Sequence, residues 1–172
     1  MIKVSVCLCL SLFLLTACAS SKSPLNVEVG DICTPTTSEQ IFHEGLYQSE
    51  RQARSGDAYY SWTFIRFFED CHFNMVTSFE ENAASAASIF LRAGAEDSTL
   101  TTGRYSLNGS IVNMKSESSE YIGQISGDTL ELEFYSHKTK KGGEHVFTYH
   151  PVETIRQDVF NQTGLQQEAP QP

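Results

Sequence analysis

The feature that most constrains the fold is the two-residue alternation in Thr129-Leu130-Glu131-Leu132-Glu133-Phe134, repeated more weakly along much of the chain. Leu130, Leu132 and Phe134 fall on one side of an extended backbone and Glu131 and Glu133 on the other, which describes a strand with one buried and one wet face. Tyr121, Gly123 and Ile125 alternate in the same way, as do Phe147 and Tyr149. Eight stretches of this kind follow one another, at 44–51, 58–68, 72–79, 100–107, 110–116, 120–125, 129–136 and 144–152, separated by turn residues. Short apolar runs punctuated this way predict an all-β domain. The second stretch, ending Phe64-Ile65-Arg66-Phe67-Phe68, is apolar on both faces, as a bulge or a cover from outside would require.

The connections predict the topology. Asp70-Cys71, Asn108-Gly109 and Gly127-Asp128 join strands two to three, four to five and six to seven as tight turns, and Asn-Gly in particular suits the type I′ hairpin, whose central residues need positive φ. The alternate connections are mostly longer, at 52–57, 80–99 and 137–143, with 117–119 short. Consecutive hairpins of this kind make an eight-stranded antiparallel up-and-down barrel, pinched at one end and open to longer loops at the other. The longest connection carries an Ala-rich segment from Asn82 to Ala93 followed by Gly94, so one short helix is predicted between strands three and four, with Ala83, Ala87, Phe90 and Leu91 on one face. That helix has two expected roles, a lid over the long-loop end or a plug in the core.

Charge narrows the partners. The whole chain has 12 basic and 21 acidic residues, a net charge of −9, which repels nucleic acid and anionic headgroups. Of the five cysteines, Cys33 and Cys71 are the pair left for a disulfide in an oxidising compartment, two free thiols being the alternative. No metal or cofactor motif stands out: the five histidines lack carboxylates at ligand spacing, His137 and His145 could approach across the last hairpin, and no nucleophile elbow, zinc-protease helix or phosphate loop is present. The expectation is therefore a non-enzyme without a cofactor.

At the N-terminus, Lys3 precedes an apolar run from Val4 to Leu15, too short to span a bilayer and shaped as a signal peptide. Its end, Leu15-Thr16-Ala17-Cys18, resembles the lipobox of bacterial lipoproteins. The resemblance implies removal of 1–17, lipid attachment at Cys18, and, with Ala19 next, an outer-membrane address facing the periplasm. Residues 18–41, rich in Ser, Thr and Pro, then read as the lipidated Cys and a flexible tether, 42–156 as the barrel and 157–172 as a disordered tail.

Gly45-Leu46-Tyr47 at the start of the first strand is similar to the Gly-x-Trp signature of lipocalins, with Tyr in place of Trp, and Arg156 resembles their late arginine over that ring. The resemblance covers about 42–153 and implies a lipocalin-like barrel. Tyr47, Tyr60, Trp62, Phe64, Tyr105, Tyr121, Phe134, Phe147 and Tyr149 are expected to share its interior. The candidate ligand-binding residues are Trp62, Tyr105, Tyr121 and Tyr149, with Arg54 and Phe90 from the long-loop end. An eight-stranded barrel either fills itself or holds one small ligand. The expected activity is binding of a small apolar ligand or an envelope protein by a membrane-anchored lipoprotein; the alternative is inhibition of a cationic enzyme such as a lysozyme.

Overall fold

A computed structural model describes residues 23–33, 41–53, 59–92 and 100–157. The strands are β1 (Gly45–Ser49), β2 (Gln52–Ala53), β3 (Tyr60–Phe67), β4 (His72–Ser78), β5 (Thr101–Asn108), β6 (Ile111–Ser116), β7 (Ser119–Ser126), β8 (Thr129–Ser136) and β9 (Lys141–Pro151), with helix α1 (Ala83–Arg92) between β4 and β5. Neighbours pair antiparallel in the order β1-β9-β8-β7-β6-β5-β4-β3-β2. Pairing of Tyr47 with Ile65 and of Gln48 with Phe64 joins β1 to β3 and closes the sheet. The result is the expected eight-strand up-and-down barrel, with the two-residue β2 as an addition at the rim.

The tight end is built by hairpins whose turns differ in one detail from the sequence expectation. Asn108 pairs with Ile111, so the β5–β6 turn is Gly109-Ser110, one residue later than expected. Only its first central residue has positive φ, +61° at Gly109, and Gly127 repeats this at +60° in the β7–β8 turn. Glycine at the first central position is the mark of type II′ rather than I′. At the open end the segment 137–143 is not a long loop: Gly142 and Gly143 pair with Tyr135 and Phe134 inside β9, which shortens the turn to 137–140.

Two apolar layers explain why β1 and β3 are buried on both faces. Tyr47, Ile65, Phe67, Phe73, Met114, Leu130 and Phe147 point inward and form the barrel core. Leu46 and Phe64, one position away, point outward and pack beneath α1 against Ala83, Ala86, Ala87 and Phe90, together with Val152 and Ile155. The helix is thus neither lid nor plug but an outer layer on the β1–β3–β4 wall. Asn82 caps it, its side-chain oxygen accepting the Ser85 N–H at 2.9 Å. Leu91, expected on the buried face, is 41% exposed, and Ala86 takes its place.

The stretch read as a tether is, over 23–33, a strap fixed to the wall. From the open end downward, the Asn26 N–H donates to Glu120 at 3.1 Å, Lys115 donates to the Val27 carbonyl at 3.4 Å, the Gly30 N–H donates to Ser106 at 3.0 Å, and the Leu107 N–H donates to Ile32 at 2.7 Å. Cys33 then bonds to Cys71 in the β3–β4 turn, with Cα atoms 5.3 Å apart. Beyond it Ile41 and Phe42 cover the tight end, Phe42 stacking on Tyr149 at 4.5 Å.

Candidate functional site

The tight end of the barrel is filled. Tyr105 donates its hydroxyl to the Phe68 carbonyl at 2.8 Å, so the 3.1 Å contact with His43 Nε2 is a donation from the imidazole to the Tyr105 oxygen. Burial lowers the pKa of His43, against a raising influence from Glu69, and raises those of Tyr105 and Tyr47, the latter to about 12. Tyr47 meets Phe67 edge-on at 5.5 Å and Tyr149 at 5.4 Å. Arg156 does not lie over the Tyr47 ring; its Nε pairs with Glu44 at 3.0 Å.

The open end is hollow. A cavity of about 190 Å³ lies between Thr63, Met75, Thr77, Tyr121, Leu132, Phe134, His145 and Phe147, with Gln52 at its edge. Strand direction places these residues: β3, β7 and β9 begin at this end, and β4 and β8 finish there, so their inward residues converge. Its floor is apolar and its rim polar. Thr63 and Thr77 oppose each other across the β3–β4 register with hydroxyls 3.0 Å apart. The Thr63 N–H donates to Ser49 Oγ at 2.9 Å. His145 stacks on Phe134 with ring centroids 5.0 Å apart and planes at 8°, and its Nδ1 lies 3.3 Å from Gln52 Nε2, which donates to it. Burial lowers the His145 pKa, so the neutral imidazole occupies the rim, and burial raises that of Tyr121 against a lowering hydrogen bond with Ser119. Among the described residues no group of three or more His, Cys, Asp or Glu is placed to hold a metal ion.

Of the six candidate ligand-binding residues, the cavity takes Tyr121 alone, although Phe134 and Phe147, expected in the barrel interior, line it as well. Tyr105 and Tyr149 are packed at the tight end. Trp62 is not interior: like Tyr60 and Phe64 it faces outward, Phe64 into the layer beneath α1, while Trp62 and Tyr60 line an open hollow with Tyr59, Phe79 and Glu81. Phe90 is sealed under α1. Arg54 and Cys18 lie outside the described residues. His137 and His145 do not approach, because His137 faces out to Glu120 at 3.3 Å while His145 faces in. The lining that sequence reasoning missed, Gln52, Thr63, Met75, Thr77, Leu132 and His145, carries one retrievable signal, the shared inward parity of Leu132 with Phe134.

No protein-family model matches the chain, and no curated protein matches it. Among solved structures the chain is similar to zebrafish ileal bile acid-binding protein complexed with cholic acid, at 11% identity and a TM-score of 0.27, over 63% of this chain and 98% of that one. The barrel architecture stands on the strand register alone.

Proposed function

We propose that the protein is a non-catalytic binding module, a lipid-anchored lipoprotein of the outer membrane that holds one small apolar ligand in the open end of its barrel. The cavity carries this reading. At about 190 Å³ it is comparable with the roughly 150 Å³ apolar cavities that take up benzene, which fits a single aromatic ring or a short alkyl segment. Met75, Tyr121, Leu132, Phe134 and Phe147 supply apolar contact, and the threonine pair with the Gln52–His145 pair offers a polar group of the ligand somewhere to bind at the rim. The anchor rests on the resemblance of Leu15-Thr16-Ala17-Cys18 to a lipobox.

Titration with indole and with 1-hexanol, followed by amide and side-chain NMR, tests the site. Shifts clustered on Tyr121, Phe134 and His145, and lost in a Leu132→Trp variant that fills the space, are expected. Shifts confined to the tight end, or unchanged by Leu132→Trp, overturn the reading.

A further inference from the structure

The rim of the open end carries three features that the cavity does not use. On one side Tyr59 and Phe79, 67% and 62% exposed, meet at 6.3 Å, and with Tyr60 and Trp62 they border an open hollow of about 620 Å³ that also includes Glu81. Arg51 lies over the Tyr60 ring at 4.1 Å. On the other side the β8–β9 turn and the first residue of β9 expose Lys138, Lys140 and Lys141 within four positions, three of the 12 basic residues of an acidic chain. Between these sides the strap reaches the same rim, since Glu120, near the start of β7, holds Asn26 and also His137 beside the lysine turn.

We propose that this rim is the face that rests on the bilayer, with the aromatic residues in the headgroup layer and the lysine turn against anionic phosphates. Aromatic rings with polar edges favour the membrane–water interface, and each lysine near an anionic surface adds attraction that falls off within a Debye length. Where the tether leaves the barrel agrees with this. The inference rests on the anchor at Cys18 for one dimension: Cys18 is five residues from Ser23, at most about 18 Å of extended chain, while an eight-residue strand such as β7, tilted as barrel strands are, places the tight end roughly 20 Å below the rim from which the strap departs. The mouth thus faces the lipid and the tight end faces away.

Trp62 is the only tryptophan of the chain and stands in the aromatic hollow, so it reports the contact directly. The full-length protein is reconstituted into vesicles of phosphatidylethanolamine and phosphatidylglycerol containing phosphatidylcholine brominated near the top of its acyl chains, and lipid label on Cys18 is measured on the same preparation. Several-fold quenching of Trp62 relative to unbrominated vesicles, protection from iodide, and weaker quenching in Tyr59→Ser/Phe79→Ser and in Lys138→Glu/Lys140→Glu/Lys141→Glu are expected. Labelled Cys18 with Trp62 unquenched and open to iodide, or shielded from iodide without lipid quenching as a protein partner would do, overturns the orientation while leaving the anchor intact. Unlabelled Cys18 with Trp62 quenched supports the rim as a lipid contact in its own right and overturns the anchor. Neither signal overturns both. The indole titration remains an independent measure of the cavity.

Discussion

Glu120 is 4% exposed on the outer wall and has both oxygens engaged, one by the Asn26 N–H and the other by Lys115 at 3.1 Å and His137 at 3.3 Å. Burial alone would raise its pKa, yet the hydrogen bonds and charges of Lys115 and His137 bring it below 4.5. A carboxyl depressed in the folded state contributes stability above its unfolded pKa and loses it as pH falls through the folded value. Glu120→Ala should therefore cost roughly 1–3 kcal/mol at neutral pH, with Lys115, half exposed, contributing the smaller share; urea unfolding at pH 7 and below 4.5, where the deficit should shrink, checks this. His145 acts in the same direction over a higher pH interval. Its pKa lies below 6.5 because burial penalises the cation, so as pH falls from 6.5 the unfolded chain takes up the proton first and stability declines. His145→Phe should reduce the slope of the urea midpoint in that interval, leaving the part due to His43, which burial shifts in the same direction. Neither role was legible from residue type, since a glutamate and a histidine beside turns read as solvated until strap and register place them.

At the scale of elements, period-two patterning revealed the strands because each barrel stave must hide one face, and all eight expected staves are present. It could not place α1. An Ala-Phe stripe announces a buried face without naming its partner, and the clue lay elsewhere, in the doubly apolar end of β3, which required an outer cover. Phe90→Ala should lower stability by roughly 3–5 kcal/mol while leaving indole-induced shifts at Tyr121 in place, since Phe90 belongs to the outer layer and Tyr121 to the inner. Loss of both would mean that the layers are not separable. The turn elements fail for another reason. A Cβ on Gly109 meets nothing within 4 Å, so Gly109→Val has room, and its expected cost of about 1–3 kcal/mol is backbone conformation alone, measurable by thermal unfolding. The cavity escaped the sequence because Gln52, Thr63, Thr77 and His145 are polar residues on an inward face, indistinguishable by alternation from a wet one.

For the whole molecule, the disulfide and strap convert an N-terminal stretch rich in turn formers into part of the domain. Closing a loop of separation 38 contributes roughly 3–4 kcal/mol in the chain-entropy picture. Cys18→Ser should leave that bond and the barrel untouched but abolish lipid label and move the protein to the soluble fraction or to an unprocessed precursor; unchanged membrane attachment in fractionation would refute the anchor. The strap also decides how the molecule bears load. A pull at the N-terminus meets the contacts at Asn26, Val27, Gly30 and Ile32 one after another and then stops at the covalent link between Cys33 and Cys71. Tension beyond that point enters through the β3–β4 turn and not through the first stave of the sheet. A tugged domain of this build pays out a short, re-zippable leash before its closed sheet carries any force.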